Sequence, residues 1–181
     1  IIHEDVCAIC FDDVSMLDVT TFRQGTCCGK VMHQKCNIQL VGFKSLSSET
    51  KYSCPMCRAK NVAVGSKEHL ERLQKWSALG KAWAQSSLGD MYSKGFGVKE
   101  DVKRAIELYE SAANQGHHIA QFNLGQIYAK GRGGVIVSDT LSFKYWKLSA
   151  DQGLAVAQLK VGVAYAQGKG VEQSDTKAFT Y

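Results

Sequence analysis

From Ser66 onward, apolar residues recur at the spacing of an amphipathic helix. Over residues 66–79 they fall at three-residue steps, which place them along one helix face. Ser66 precedes this pattern as a predicted N-cap, and Gly80 follows it as a predicted stop. The sequence therefore predicts a helix over 66–79 with an apolar face formed by Leu70, Leu73, Trp76 and Leu79.

A longer pattern of apolar and polar positions follows this helix and occurs three times. Residues 84–92, 120–128 and 157–165 share alanine, glutamine, glycine and tyrosine at their first, second, sixth and ninth positions. The shared glycines are separated by 36 and then 37 residues. Self-similarity at such a period indicates a repeat protein in which each copy buries its apolar face only against the next copy.

Each copy also carries a turn signal and a helix start at matching positions. A glycine-valine turn follows each tyrosine, and the third residue after its valine is a predicted N-cap, namely Asp101, Ser138 and Ser174. A glycine in the middle of a helix costs about 1 kcal/mol relative to alanine. Its presence at the same place in every copy predicts a close approach of two helices at Gly89, Gly125 and Gly162.

These features resemble the Sel-1-like repeat, a relative of the tetratricopeptide repeat built from paired antiparallel helices. The resemblance covers residues 66–181 and implies an all-α solenoid with a leading helix (66–79), two full repeats and a truncated third. The first alanines and the tyrosines of the three segments would fill the seam between helices, and the repeats would bind a protein substrate or an assembly partner. Because the chain begins at Ile1 and stops inside a repeat, we expect it to be a fragment.

The seven cysteines of the chain all lie in its first third, interleaved with a histidine. They make eight possible metal ligands in four close pairs: Cys7 with Cys10, Cys27 with Cys28, His33 with Cys36, and Cys54 with Cys57. A structural zinc ion takes four sulfur or nitrogen ligands in a tetrahedron. The pairs therefore predict two zinc ions. They also favour a reducing intracellular compartment, cytoplasmic or nuclear, over a secreted disulfide scaffold.

The ligand spacing resembles a RING finger, which implies a small zinc-stabilised α+β domain over residues 1–60, followed by a short junction at 61–65. In that family the first and third pairs bind one zinc ion, and the second and fourth pairs bind the other. Lys30 stands where RING fingers commonly place a histidine ligand, so Cys27 would have to replace it. The ligand order also fits a PHD finger, although Ile9, Pro55 and Arg58 favour a RING finger.

The RING resemblance implies an E3 ubiquitin ligase, a ubiquitin-protein transferase with no nucleophile and hence no catalytic residue of its own. It would bind a ubiquitin-charged conjugating enzyme and hold the thioester in a reactive orientation. Ile9, Leu40 and Pro55 would bind the conjugating enzyme, and Arg58 would bridge to ubiquitin through its planar fork of donors. The alternative is a non-catalytic zinc-finger adaptor, including a PHD-like peptide reader, with protein-binding repeats.

Charge and hydropathy leave little support for two other classes of partner. The net charge is +5, without a dense stripe of Lys and Arg interleaved with aromatic residues, so we expect no nucleic-acid binding. No apolar run approaches the length of a membrane span.

The histidines outside the zinc pattern, which are His3, His69, His117 and His118, have no metal-like partner in the sequence and are predicted to lie at the surface.

Overall fold

The computed structural model of the chain describes residues 63–181. The chain divides into two compact units, Ile1–Arg72 and Leu73–Tyr181. The first described helix, α1 (Lys67–Ala78), begins directly after Ser66. The Ser66 Oγ accepts a hydrogen bond from the His69 backbone N–H at 3.1 Å, which confirms the predicted N-cap.

The end of α1 differs from the prediction at one residue. Leu73 is fully buried, whereas Leu79 lies past the helix end and is 60% exposed. Gly80 follows with φ +75°, in the left-handed region that glycine adopts without strain. The prediction that Leu79 extends the buried face is therefore wrong, because the helix ends at Ala78 and the chain turns there.

Six α-helices follow in the unit Leu73–Tyr181. They are α2 (Ala82–Lys94), α3 (Val102–Asn114), α4 (His118–Lys130), α5 (Asp139–Ala150), α6 (Ala155–Gln167) and α7 (Asp175–Thr180). A short 3-10 helix, Arg132–Gly134, connects α4 to α5. From α2 to α7, each helix packs against the next. Residues 82–180 thus form three helix pairs, one for each copy of the repeat.

The second helix of each pair begins where the sequence predicts. The side chains of Asp101, Ser138 and Ser174 each accept a hydrogen bond from the backbone N–H three residues later, at 3.0, 3.2 and 3.3 Å. The backbone N–H of each of these residues also donates to the carbonyl of the repeat tyrosine before it. The turn between paired helices is therefore held by the same two hydrogen bonds in every copy.

The seam between the helices is filled largely as predicted. The first alanine of each repeat segment is fully buried: Ala84, Ala120 and Ala157. Tyr92 and Tyr165 are buried as well. Tyr128 is only half-buried, and its ring stacks on that of Tyr145 with 5.7 Å between centroids. The equivalent tyrosines therefore do not all have the same role.

The repeat glycines mark the closest approaches between paired helices. A Cβ added at Gly89 in α2 would lie 2.8 Å from Cε1 of Tyr109 in α3. A Cβ at Gly162 in α6 would lie 3.2 Å from the backbone carbonyl oxygen of Ala178 in α7. Carbon atoms do not normally approach as closely as 2.8 Å in a packed interior. The predicted close approach at the repeat glycines is confirmed.

Glutamines at the second position of the repeat segment bond to the end of the second helix of their own repeat, and Gln121 also bonds to the preceding repeat. Gln115 Nε2 donates to Gln85 Oε1 at 2.8 Å, and its counterpart Gln152 Nε2 donates to Gln121 Oε1 at 2.7 Å. Gln121 Nε2 in turn donates to the Ala113 carbonyl at 3.3 Å. Gln121 is 5% exposed, so these contacts satisfy an amide that water cannot easily reach. The shared glutamine thus holds α4 to the ends of α3 and α5.

His69 is buried rather than at the surface as predicted, whereas His117 and His118 are partly exposed. His69 is 9% exposed, and its Nδ1 accepts a hydrogen bond from the Gly65 backbone N–H at 3.3 Å. His117 caps α4, because its Nδ1 accepts from the Ala120 backbone N–H at 3.3 Å. The ring of His118 stacks on that of His117 with 5.5 Å between centroids. Imidazole is not among the preferred N-cap groups, so the sequence did not indicate this role.

Candidate functional site

A groove lies between the first helices of two adjacent repeats, and we refer to it as the α2–α4 groove. Its cavity volume is about 170 Å³, below the roughly 300–1,000 Å³ typical of small-molecule sites. A space of this size suits a side chain of another polypeptide better than a whole cofactor. The lining residues come from α2, α3, α4 and the 3-10 helix: Asp90, Ser93, Lys94, Tyr109, Phe122, Asn123, Gln126, Ile127, Lys130 and Arg132.

Asp90 is the centre of a hydrogen-bonded network inside the α2–α4 groove. Its Oδ1 accepts a hydrogen bond from the Tyr109 hydroxyl at 2.7 Å and another from Asn123 Nδ2 at 3.2 Å. Lys94 Nζ forms an ion pair with the same oxygen at 3.5 Å. Burial and the neighbouring Asp90 carboxylate raise the pKa of the Tyr109 hydroxyl, which therefore stays protonated as a donor. The network joins three helices and fixes the geometry of the groove.

Arg132 holds the 3-10 helix of the second repeat against the first repeat. Its Nη2 donates to the Ser93 carbonyl at 2.7 Å and forms an ion pair with Glu100 Oε1 at 3.0 Å. Its Nη1 donates to Ser93 Oγ at 3.3 Å. A guanidinium bound through both terminal nitrogens has a defined position. Arg132 therefore contributes a fixed positive charge to one end of the groove.

Two polar side chains of the groove are free to contact another molecule. Lys130, the last residue of α4, is exposed and has no ion-pair or hydrogen-bond partner within residues 63–181. The side-chain amide of Gln126 also has no hydrogen-bond partner among those residues. Three lining side chains are cations, whereas Asp90 is the one carboxylate among them. The groove thus presents a surplus of positive charge together with an unpaired amide.

Phe122 forms an apolar wall of the groove and links it to the third repeat. Its side chain also packs against a buried cluster that contains Ala157, Val161 and Tyr165. Contact with this cluster restricts the ring, because packed side chains lie in few rotamers. A molecule in the groove would therefore meet a preformed apolar surface beside the charged groups.

A second cavity, of about 510 Å³, lies against α6 and α7. Its lining is mostly apolar and comprises Leu159, Gly162, Val163, Ala166, Asp175, Ala178, Phe179 and Tyr181. Leu159 is 65% exposed and Phe179 is 92% exposed. This apolar surface is larger than the α2–α4 groove but contains no network of fixed polar groups like that around Asp90.

The residues predicted to bind zinc, the conjugating enzyme and ubiquitin lie outside the described residues. They are Cys7, Ile9, Cys10, Cys27, Cys28, His33, Cys36, Leu40, Cys54, Pro55, Cys57 and Arg58, and His3 lies there too. Within residues 63–181, no cluster of three His, Cys, Asp or Glu side chains could hold a metal ion. In the same range, no helix is long and apolar enough to cross a membrane.

The sequence did contain a signal for the α2–α4 groove. The repeat segments share their alanine, glutamine, glycine and tyrosine, which form the seam, but they differ at the fourth and seventh positions. Asp90 and Gln126 occupy the seventh position of the first two copies, and Asn123 occupies the fourth position of the second. These three residues line the groove. The groove therefore includes positions that vary between copies, but variation alone does not identify it, because the fifth and eighth positions also vary and are buried.

The chain matches the Sel1 repeat family over residues 84–117, 118–154 and 155–181. It is 30% identical over 97 residues to Protein sel-1 homolog 2 of Homo sapiens. It is 35% identical over 82 residues to the ERAD-associated E3 ubiquitin-protein ligase component HRD3A of Arabidopsis thaliana. These alignments cover 51% and 43% of this chain but 14% and 12% of the two relatives, so the chain spans a small part of either protein.

Solved structures show the same arrangement of helices. A Sel1 repeat protein from Oxalobacter formigenes superposes with a TM-score of 0.61 and 27% identity, covering 68% of this chain and 49% of that one. The protective antigen c5321 of uropathogenic Escherichia coli, which displays an SLR fold, superposes with a TM-score of 0.62 and 31% identity. That superposition covers 68% of this chain and 26% of the antigen.

Proposed function

Because this chain belongs to the Sel1 repeat family, with its repeats forming an all-helical solenoid, we propose that the repeats bind a partner protein through the α2–α4 groove. The main support for this proposal is that a fixed hydrogen-bonded network around Asp90 lies beside the free side chains of Lys130 and Gln126. A surface that is already ordered loses little conformational entropy on binding. Its free polar groups can then select the partner.

We further propose that residues 1–60 form a RING-type zinc domain and that the protein is a ubiquitin ligase. Two observations support this proposal. The four cysteine and histidine pairs have the spacing of a two-zinc domain. In addition, the repeats resemble part of HRD3A, which is named an E3 ubiquitin-protein ligase component. The repeats would bring a protein substrate or assembly partner to the ligase.

The proposed zinc domain would act by positioning rather than by covalent chemistry. One zinc site would comprise Cys7, Cys10, His33 and Cys36, and the other Cys27, Cys28, Cys54 and Cys57. Ile9, Leu40 and Pro55 would contact the conjugating enzyme, and Arg58 would bridge it to ubiquitin. Restricting the motion of the charged conjugating enzyme would favour the geometry in which a lysine attacks the thioester. Reduced thiolate ligands imply a reducing compartment, cytoplasmic or nuclear.

The ligase activity is tested by single-turnover discharge of ubiquitin from a panel of charged conjugating enzymes. The full chain is expected to accelerate discharge, and the Ile9→Ala and Arg58→Ala variants are expected to lose that acceleration while their zinc content stays unchanged. If the chain accelerates discharge from no enzyme of the panel, the protein is a non-catalytic zinc-finger adaptor. Its function would then lie in the repeats alone.

Protein binding by the repeats is tested separately by panning a library of short random peptides on the full chain. Peptides that bind are expected to lose affinity for a Gln126→Trp variant, in which a bulky neutral ring fills the α2–α4 groove. Gln167→Trp is the matched control, because Gln167 is exposed at the end of α6 and does not line the groove. Lys103→Gln, at an exposed position on α3 outside the groove, controls for the loss of a surface charge. Binding that survives Gln126→Trp unchanged would place the contact surface elsewhere.

A further inference from the structure

We propose that the α2–α4 groove recognises an acidic segment of the partner protein and that an aspartate or glutamate side chain of that segment pairs with Lys130. This inference rests on the proposed function, protein binding by the repeats, and names the chemistry of the segment that is bound. It follows from the distribution of paired and unpaired charges in the groove.

The negative charge of the groove is already neutralised within the protein. Asp90 Oδ1 receives a hydrogen bond from Tyr109 and another from Asn123, and it forms an ion pair with Lys94. A cationic ligand would have to compete with Lys94 and with these two donors for the Asp90 carboxylate. It would also meet Lys130 and Arg132, and like charges at close range in an interface cost several kcal/mol. The groove therefore disfavours a basic segment.

The positive charge, by contrast, is only partly neutralised. Glu100 balances Arg132 at 3.0 Å, but Lys130 has no carboxylate partner within residues 63–181. A ligand carboxylate would supply that partner without breaking any contact in the groove. Phe122 and Ile127 provide apolar surface beside it, on which the methylene groups of a glutamate side chain could pack. Both features favour an acidic side chain.

The position of Lys130 favours a side-chain carboxylate over the carboxylate at the end of a chain. Lys130 is the last residue of α4 and is exposed, so it lies at the rim of the groove. A side chain can reach the ammonium group there while the main chain of the segment continues past the groove in both directions. The free amide of Gln126 can meanwhile contact a main-chain carbonyl or N–H of that segment.

The test is calorimetric titration of the full chain with short peptides that are acetylated and amidated, so that side chains carry the only carboxylates. A peptide with a central glutamate pair between leucines is compared with its Glu→Gln counterpart and with a Glu→Lys counterpart. A further Glu→Gln peptide has a free C-terminal carboxylate.

The glutamate peptide is expected to bind best, and its affinity should fall as salt is raised. We expect Lys130→Gln to weaken it roughly threefold and Lys130→Glu roughly tenfold, while Lys103→Gln has no effect.

The other outcomes would overturn the acidic-segment inference, the proposed function or both. Equal affinity for the glutamate and glutamine peptides, or equal loss in the Lys130→Gln and Lys103→Gln variants, overturns the acidic-segment inference. Binding that requires the free C-terminal carboxylate overturns it as well. If random peptides without acidic residues bind in a way that Gln126→Trp abolishes, the inference fails and the proposed function stands. If the chain enriches no peptide at all, both fail.

Discussion

The indole of Trp146 in α5 lies against Gly125 in α4, where an added Cβ would be 2.5 Å from the indole Nε1. Tyr109 lies against Gly89 in the same way in the first repeat. The two contacts differ in polarity, because the Tyr109 hydroxyl donates to Asp90 whereas Trp146 Nε1 is a buried donor without a partner within the described residues. At the same packing position, the first repeat therefore has a tyrosine that belongs to the polar network of the groove. The second repeat has a tryptophan that makes only a steric contact.

The Gly125→Ala variant is expected to lower the free energy of unfolding of the repeats by up to about 2 kcal/mol. Overpacking typically costs about 1–3 kcal/mol, and the gain in helix propensity returns at most about 1 kcal/mol. Urea denaturation of the full chain, followed by helical circular dichroism, measures the difference. In a Trp146→Leu background the same substitution should cost much less, because the indole is gone. An equal cost in both backgrounds would show that Trp146 is not the cause.

The repeats are expected to lose stability on acidification because of His117. Burial, followed by the charge of His118, lowers the pKa of His117 to about 4 from its ordinary value of 6.5. The folded protein thus favours the neutral ring, whose Nδ1 accepts the Ala120 N–H. Stability from this residue is complete above pH 6.5 and is lost as pH falls towards 4, by up to about 3 kcal/mol.

The matched variant for this pH dependence is His117→Asn, which keeps an N-cap acceptor but does not titrate in this range. Its free energy of unfolding should fall less than that of the native chain between pH 7 and pH 4.5, as measured by urea denaturation at each pH. Parallel losses in the two proteins would assign the acid sensitivity to other groups. His69 is common to both proteins, so its contribution cancels in the comparison. His118 stacks on His117, so the measured difference reports the two rings together.

The Gln121→Leu variant is expected to cost about 1–3 kcal/mol. It removes one of the two acceptors of the Gln152 amide and the donor to the Ala113 carbonyl, while the apolar side chain keeps a similar volume. Gln167→Leu is the control, since Gln167 is exposed at the end of α6 and should change stability by no more than about 0.5 kcal/mol. Similar midpoints of urea denaturation for the two variants would mean that the glutamine contacts contribute little.

The zinc proposal predicts two zinc ions per chain by metal analysis. Strong chelators should remove both and unfold residues 1–60, while most of the helical signal of residues 63–181 is retained, because the zinc ligands all precede that range. Cys27→Ser should lower the zinc content to about one ion, since thiolate is the ligand that zinc requires there. An unchanged zinc content in that variant would exclude Cys27 as a ligand, and a metal-free native chain would remove the proposal.

The repeat arrangement was predictable because its causes are local in sequence. The caps at Ser66, Asp101, Ser138 and Ser174 each bond to a backbone N–H three residues away, and the repeat glycines recur after 36 and then 37 residues. The residue types and their short spacing therefore predict the caps and the close helix contacts directly. The prediction failed at Leu79, where the three-residue pattern continues past the point at which the chain turns.

The α2–α4 groove was not predicted because its contacts cross between helices. Tyr109 is 19 residues from Asp90, and Asn123 is 33 residues from it. Neither separation corresponds to the period of a helix or to the repeat length, so no sequence pattern pairs these residues. The roles of His69 and His117 were missed for a different reason. Each accepts a backbone hydrogen bond through a ring nitrogen, and composition does not reveal such a contact.

Hydrogen exchange of the full chain, with and without a saturating peptide from the library, tests most directly whether the α2–α4 groove is the binding surface. Peptide bound in the groove is expected to slow the exchange of backbone amides in α2 and α4, with no such change in a Gln126→Trp variant. Protection confined to α6 and α7, beside the apolar cavity that Leu159 and Phe179 line, would contradict it.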